Sequence, residues 1–477
     1  MLEIHIGNLY SKINKAKASK EEINSLSNLL SIQVQGYYFS PAYRRGHWDG
    51  KKKFFNKLTS QFYTGLTGYV REHLKDFEIV EIDERVRPEH YSNDVSLNGI
   101  EFRPYQEEAI KEAINIGRGI IAAPPNSGKT EIAAGIIQSL GLPANFLTHR
   151  LNLLFQTKER FEKRLGVEVG LMGKGEFDLK DINILSVASL SRKLDDPDVK
   201  NLLKETPVLI VDECHHVSSN TFEKCLKASG AYWRIGLSAT PLLRDDISNL
   251  LVRGLTGNEI TVVTNEQLIN WGISASPSVY LFEIDRPKFQ MKHIPYAKVY
   301  EESIVENDYR NNLIVLFAKK FTEAGKSVFI MVFRIQHGKI LTERLTAQGV
   351  NAEFISGEGS TPDRNYQMLK LFSDKKLSCI VSTSISDEGL DIPSMDVLII
   401  GVGDRSALKA VQRVGRGLRK KPQGSNVVTI VDFMDFNNSF LKKHSESRLA
   451  TYDNMGMTLY EVRDPEWNKI IKLSSKV

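Results

Sequence analysis

The feature that most constrains this chain is a pair of consecutive series of short apolar runs, each run separated from the next by a stretch of helical periodicity. The first series comprises Gly119–Ala123, Asn145–Thr148, Ile182–Val187, Pro207–Val211 and Arg234–Leu237. After a break near Gly272–Pro277 the pattern restarts with Ser327–Phe333, Ala352–Ile355, Leu377–Ser382, Val397–Ile400 and Asn426–Asp432. Continuous apolar runs of strand length that alternate with helices predict strands buried on both faces, joined by crossover helices into parallel sheets. The expected class is α/β with two tandem parallel-sheet domains. At 477 residues one core is too few, and two to four domains is the expectation. The division read from the pattern is a small α+β block at 1–95, a first α/β domain at 96–270, a second at 271–445 and a tail at 446–477. The block carries a predicted helix near Lys20–Ser31, Pro88–Asn98 reads as a linker, and the polar tail is either a helix or a loosely held segment.

Composition narrows the setting. The cysteines Cys214, Cys225 and Cys379 are odd in number and lack C-x-x-C spacing, so neither a disulfide framework nor a zinc site is expected. No apolar run approaches the roughly 18 residues of a membrane helix, and the first residues lack the hydrophobic core of a signal peptide. The expectation is a cytoplasmic enzyme, in the host cytoplasm if phage-encoded. The net charge of +5 is mild, so its local distribution matters more than its sum.

Ala123-Pro-Pro-Asn-Ser-Gly-Lys-Thr130 follows an apolar run and opens a predicted helix. That is the context of a phosphate-binding loop, with Ala123 in place of the usual first glycine. Pro125, Asn126, Ser127 and Gly128 make up the loop, and the backbone N–H groups toward the helix start, from Asn126 onward, would face the phosphates. Lys129 would reach the β and γ oxygens, and the Thr130 hydroxyl would hold Mg²⁺. Downstream, Leu209-Ile-Val-Asp-Glu-Cys-His215 places two adjacent carboxylates at the end of a strand. Asp212 there is a candidate Mg²⁺ ligand through water, and Glu213 a candidate to orient or deprotonate the attacking water. His215 and His216 have no accompanying ligand cluster, so no zinc or iron site is expected. The γ-phosphate's transition state needs a further cation, and Arg416 and Arg419 lie three apart on one predicted helix face.

The order of these segments resembles the superfamily 2 DExH-box helicases over residues 100–435. Phe102-Arg-Pro-Tyr-Gln106 is similar to the adenine-reading segment, which implies nucleotide contacts for Arg103 and Gln106. Asp212-Glu-Cys-His215 is similar to the DExH box, and Ser238-Ala239-Thr240 to the motif that couples hydrolysis to strand movement. Ser382–Pro393 and Gln412-Arg-Val-Gly-Arg-Gly-Leu-Arg419 are similar to motifs V and VI. The resemblance implies two tandem RecA-like domains that act on ATP and Mg²⁺, with Gly389 and Asp391 lining the nucleotide. Gln412 would contact the nucleotide or the water network of Glu213, and Arg416 and Arg419 would reach ATP from the second domain. It also implies nucleic-acid contacts at His149, Arg150, Gln156, Lys174 and Ser189 in the first domain, and at Arg334, Gly357 and Thr383 in the second.

Tyr37–Phe55 interleaves aromatics with Arg44, Arg45, Lys51, Lys52 and Lys53, and Asp49 is its only acid. Cations neutralise phosphates and aromatic faces stack on bases, so Arg44, Arg45, Trp48 and the three lysines are candidate DNA contacts. The other reading is a small β-rich domain with Tyr37, Phe39 or Trp48 buried, and both can hold together. With Arg244-Asp-Asp246, this block is similar to the phage UvsW-type branch-migration helicases, a group related to XPB and RecG-like motors. That implies a monomer acting on forked, branched or single-stranded DNA in recombination, replication and repair. An RNA helicase, or a duplex translocase that separates no strands, is the alternative among enzymes. An ATP-switched nucleic-acid-binding protein is the alternative of another class.

Overall fold

A computed structural model of the chain describes residues 1–34, 36–89, 96–124, 127–149, 154–215, 220–239, 247–271, 273, 276–284, 295–356, 362–383, 395–404, 427–454 and 457–473. They divide into two compact units, Met1–Val263 and Thr264–Val477.

The first unit opens with β1 (Leu2–Ile6), β2 (Tyr10–Ile13), α1 (Lys20–Leu29), β3 (Ser31–Gln33), α2 (Pro41–Arg44), β4 (Lys51–Lys53), β5 (Phe55–Asn56), β6 (Gln61–Tyr63), α3 (Thr67–His73) and β7 (Ile79–Asp83). Five of these strands form a sheet of order β5-β6-β2-β1-β7, and β3 and β4 pair separately as an antiparallel ribbon. The predicted helix at Lys20 forms because Ser19 and Glu22 make a capping box. The Ser19 hydroxyl accepts from the Glu22 N–H at 3.1 Å, and the Glu22 carboxylate accepts from the Ser19 N–H at 2.7 Å.

The α/β part continues with α4 (Pro104–Ile116), β8 (Arg118–Ala122), α5 (Lys129–Leu140), β9 (Ala144–Thr148), α6 (Leu154–Leu165), β10 (Gly170–Gly173), β11 (Glu176–Asp178), β12 (Ile182–Ser186), α7 (Val187–Arg192), α8 (Pro197–Glu205), β13 (Val208–Asp212), α9 (Asn220–Ala228), β14 (Trp233–Ser238), α10 (Ile247–Thr256) and β15 (Glu259–Val262). The sheet order is β11-β10-β12-β9-β13-β14-β8-β15, parallel except for the edge pair β10–β11. Leu209, Ile210 and Val211 are at most 1% exposed, as strands covered on both faces require.

The N-terminal block is not a loosely tethered module. Its Leu2, Ile4, Phe62 and Leu66 share one hydrophobic cluster with Leu209, Phe222 and Leu255 of the α/β part. The Tyr63 hydroxyl donates to the Glu223 carboxylate at 3.1 Å, and the Asn8 amide to the Gly230 carbonyl at 3.1 Å. The flanks of the predicted linker are pinned too. The Arg87 guanidinium lies over the Trp233 ring at 5.6 Å, and the Asn98 N–H donates to the Arg164 carbonyl at 2.9 Å.

The second unit contains α11 (Asn265–Asn270), β16 (Ser276–Ile284), α12 (Tyr296–Tyr300), α13 (Asp308–Glu323), β17 (Val328–Val332), α14 (Ile335–Ala347), β18 (Ala352–Ile355), α15 (Pro362–Ser373), β19 (Cys379–Thr383), β20 (Val397–Ile400), β21 (Val427–Asp435), α16 (Ser439–Asn454), β22 (Thr458–Val462) and β23 (Ile470–Lys472). Its sheet order is β18-β19-β17-β20-β21-β16-β22-β23, parallel except for the last pair. Both α/β sheets are RecA-like, and an α+β block precedes them. Of the two readings of the segment after 445, the helix holds as far as Asn454 in α16. The loosely held tail is corrected over 457–473, where β22 extends the sheet beside β16 and Trp467 packs against Phe317 and Phe321 at 5.5 and 5.4 Å.

Candidate nucleotide and nucleic-acid sites

In a parallel sheet every strand ends at the same edge, so loops far apart in sequence meet there. In the first unit β8, β14 and β13 are neighbours, and each ends in one of the motifs found in the sequence. The Ala123 N–H after β8 donates to the Ser238 carbonyl of β14 at 2.9 Å. After β13, the His215 ring Nδ1 lies 2.8 Å from the Ser238 hydroxyl and 3.4 Å from the Glu213 carboxylate. His215 therefore joins the two predicted motifs.

The described part of the phosphate-type loop leads directly into α5. Gly128, at φ +80°, precedes α5, and a Cβ there would sit 2.3 Å from Gln106 Nε2. The Lys129 ammonium donates to the Ala123 and Pro124 carbonyls at 2.9 and 3.3 Å, and the Ser127 hydroxyl to the Pro124 carbonyl at 2.6 Å. The Lys129 ammonium thus rests on the loop's own carbonyls. Thr130 stands in the first turn of α5. Pro125 and Asn126 lie outside the described residues.

Gln106 is buried and bridges two segments of the chain. Its carbonyl accepts from the Arg103 N–H at 2.9 Å, and its amide donates to the Ser127 carbonyl at 2.7 Å. The Tyr105 hydroxyl donates to the same carbonyl at 2.6 Å and stands 3.1 Å from Arg103 Nη1. Tyr105 was not singled out in the sequence, although its place between Arg103 and Gln106 is the signal that could have marked it.

Asp212 ends β13, and its carboxylate accepts a hydroxyl from Thr148, the last residue of β9, at 3.4 Å. Glu213 is 4% exposed and holds a left-handed φ of 48°. That conformation costs about 1–3 kcal/mol in a residue with a Cβ. The chain leaves β13 at this residue, directly after Asp212. The hydroxyl oxygen of Thr130 and the carboxylate oxygens of Asp212 are hard donors, which suit Mg²⁺ rather than a softer metal. Burial pushes the neighbouring Cys214 thiol well up, so it stays protonated and inert.

The predicted strand-binding positions of this unit occupy the other half of the same edge. His149 follows β9, Lys174 follows β10 and Ser189 stands in α7 directly after β12, and these three strands are adjacent. Lys174 has a left-handed φ of 53°, and its ammonium lies 5.9 Å from the Phe155 ring, while Gln156 is exposed on α6. The Thr148–Asp212 contact joins the two halves. Ala239 follows Ser238, whereas Arg150 and Thr240 lie outside the described residues.

In the second unit Arg334 and Thr383 stand at the ends of the adjacent strands β17 and β19. Arg334 is exposed and stacks over Phe333 at 5.3 Å. Gly357, Gly389, Asp391, Gln412, Arg416 and Arg419 lie outside the described residues.

The N-terminal candidates gather around the β3–β4 ribbon. Lys51 and Lys53 are exposed, whereas Lys52 points the other way, its ammonium 3.9 Å from Glu223. Lys53 pairs with Asp49 at 2.6 Å, and Arg44 donates to the Tyr38 carbonyl at 3.0 Å. Arg45 closes α2, and Trp48 donates to the Lys51 carbonyl at 2.8 Å. The expectation that Tyr37, Phe39 or Trp48 is buried does not hold. Tyr37 and Trp48 are half-buried, and Phe39 is 66% exposed. The ribbon is too short to cover them, and the block's core is built on the five-stranded sheet.

Comparison with known proteins follows the same division. Residues 99–243 match the family described as type III restriction enzyme, res subunit, and residues 309–421 match the helicase conserved C-terminal domain. The chain is 25% identical over 433 residues to the DNA 3'-5' translocase XPB2 of Sulfurisphaera tokodaii, covering 83% of this chain and 95% of that protein. It is 23% identical over 447 residues to the ATP-dependent DNA helicase uvsW of Enterobacteria phage T4, covering 86% of each. A solved structure of S. cerevisiae Dbp5 bound to RNA and ADP BeF3 shares the fold at a TM-score of 0.52 and 16% identity, over 75% of this chain and 89% of that one.

Proposed function

The chain belongs to the superfamily 2 helicases, ATP-dependent enzymes that act on nucleic acid, and on that premise we propose that it is a DNA motor that remodels forks and four-way junctions in recombination, replication and repair. The observation that carries the reading is the His215–Ser238 contact. It ties the strand end bearing Asp212 and Glu213 to the segment read as coupling hydrolysis to movement. The similarity to a protein named a DNA translocase and to one named a DNA helicase favours DNA as the track. The aromatic-basic N-terminal block favours branched DNA over plain duplex.

In this reading Lys129 and the loop's N–H groups bind the β and γ oxygens of ATP. Arg103 and Gln106 take the base, with Gly389 and Asp391 lining the site. Thr130 and Asp212 would hold Mg²⁺, which would supply neutralising charge to those oxygens. Glu213 accepts a proton from the attacking water, and Gln412 orders that water. Arg416 and Arg419 meet the charge that develops on the transferred phosphoryl group. Ser238, Ala239 and Thr240 pass the change on to the strand-binding side. His149, Arg150, Gln156, Lys174, Ser189, Arg334, Gly357 and Thr383 grip the backbone without reading sequence. Residues 1–95 are the substrate block, 96–270 the first motor domain and 271–445 the second, which is completed by β22 and β23.

The test is ATP turnover with single-stranded DNA, duplex, fork, Holliday junction and RNA as effectors, with Lys129→Ala as control. Strongest stimulation by fork or junction is expected. Equal stimulation by RNA and branched DNA would remove the branch-specific reading.

A further inference from the structure

Two large aromatic rings stand in the open on the N-terminal block, and the functional reading above gives them no role. Tyr38 is 54% exposed and Phe39 66% exposed, with ring centroids 4.4 Å apart and planes tilted by 47°. They are held rigidly. A single helical turn is closed by the Phe39 N–H donating to the Gly36 carbonyl and the Ser40 N–H to the Tyr37 carbonyl, each at 3.0 Å. Arg44 clamps the Tyr38 carbonyl from α2. Beneath them Tyr37 packs edge-on against Tyr43 at 4.6 Å and lies on Gly50, where a Cβ would come within 2.6 Å of its ring. Any other residue at 50 would lift that ring off its seat.

We propose that Tyr38 and Phe39 form a base-stacking knob that takes the nucleobases of DNA at the point where a duplex opens. This rests on the reading of the chain as a DNA motor. Three observations support it. A prefixed pair of rings loses little freedom on stacking, so the contact is preorganised. The surroundings match a polyanion, since Arg44 contacts the Tyr38 carbonyl, Arg45, Lys51 and Lys53 are exposed on the same short segment, and its lone acid, Asp49, is already paired with Lys53. The tilt selects the geometry, because bases in a continuous stack are parallel and cannot lie flat on two faces that diverge by 47°. Bases that part at a branch point can.

The experiment uses the full chain with a forked DNA carrying 2-aminopurine in the pair next to the branch point. Binding without ATP should change the 2-aminopurine emission. The Tyr38→Ala, Phe39→Ala double variant should lose that change and unwind the fork about tenfold more slowly. Its turnover with single-stranded DNA should stay within about twofold of the parent's, since stacking on unpaired bases is only part of the grip. Phe39→Trp should keep both signals. A double variant that retains the emission change and the unwinding rate would overturn the knob, and the rings would then belong to another partner. Stimulation by single strands that falls in step with unwinding would also overturn it, because the rings would then serve general binding. If DNA fails to stimulate turnover by the unaltered protein, the DNA-motor reading fails and the knob falls with it.

Discussion

Glu213 is the residue where sequence, backbone and chemistry coincide most closely. Its adjacency to Asp212 marked it in the sequence, and its left-handed φ of 48° turns it off the end of β13. If it accepts the proton of the attacking water, Glu213→Gln keeps the shape and loses the base. Turnover should fall by about 10²–10⁴-fold with little change in KM for ATP, measured by phosphate release. A variant that keeps full turnover would place the base elsewhere. His337 offers a different kind of test. It is buried in α14, its Nε2 is 2.8 Å from the Asn311 side-chain oxygen, and burial, with Arg310 and Arg344 adding repulsion, pushes its pKa down to about 3. The unfolded chain therefore binds a proton that the folded chain refuses between about pH 6.5 and 3. Stability of the second unit should fall as pH drops below 6.5, by up to about 1.4 kcal/mol per pH unit. In His337→Gln this contribution to the slope should vanish, read by hydrogen exchange across β17 and α14 at several pH values.

At the scale of elements, two fully buried arginines organise the ends of β20 and β21. Arg310 of α13 donates to the Asp435 carboxylate at 3.0 Å and to the Gly401 carbonyl at 2.7 Å. Arg448 of α16 donates to Asp432 at 2.9 Å, which also accepts from Tyr452 at 2.7 Å. Burial outweighs both guanidinium groups at Asp435 and raises its pKa, so the site tolerates its charge only while the pairing is intact. Arg310→Met should cost about 3–5 kcal/mol in urea unfolding, because it strands a carboxylate in the core. Arg310→Met with Asp435→Leu should recover much of that loss. A single variant as stable as the parent would mean that the pair contributes nothing. These contacts hold Gly401–Asp404, the chain just before the segment that carries Gln412, Arg416 and Arg419.

For the molecule as a whole, a net charge of +5 is too small to explain a grip on a polyanion by itself. Binding must come from local clusters, and each cation that neutralises a phosphate contributes to the salt dependence of affinity. Replacing Lys51 and Lys53 with alanine should weaken binding to all DNA sequences alike. It should also lower the slope of log K against log salt by about 1–2. An unchanged slope, measured by fluorescence anisotropy from low to moderate salt, would remove the ribbon from the DNA path. Lys52 serves as the internal control, since it faces Glu223 and its replacement should disturb the packing of the block more than the slope.

The strand runs, the phosphate-type loop and the Asp212–Glu213 pair were legible in the sequence because each depends on neighbours within a few residues. Apolar runs declare burial, and Gly128 and Lys129 sit at fixed offsets from a strand end. The grouping of those strand ends was legible only as an expectation drawn from resemblance. Strand order alone decided that β13 lies between β9 and β14, so that Asp212 reaches Thr148 on one side and His215 reaches Ser238 on the other. The same holds for β22, whose polar sequence hid a sheet strand, and for the N-terminal block, whose core merges with that of the first α/β sheet. Hydrogen bonds between strands and contacts across a shared core depend on distances in space that leave no periodic mark along the chain.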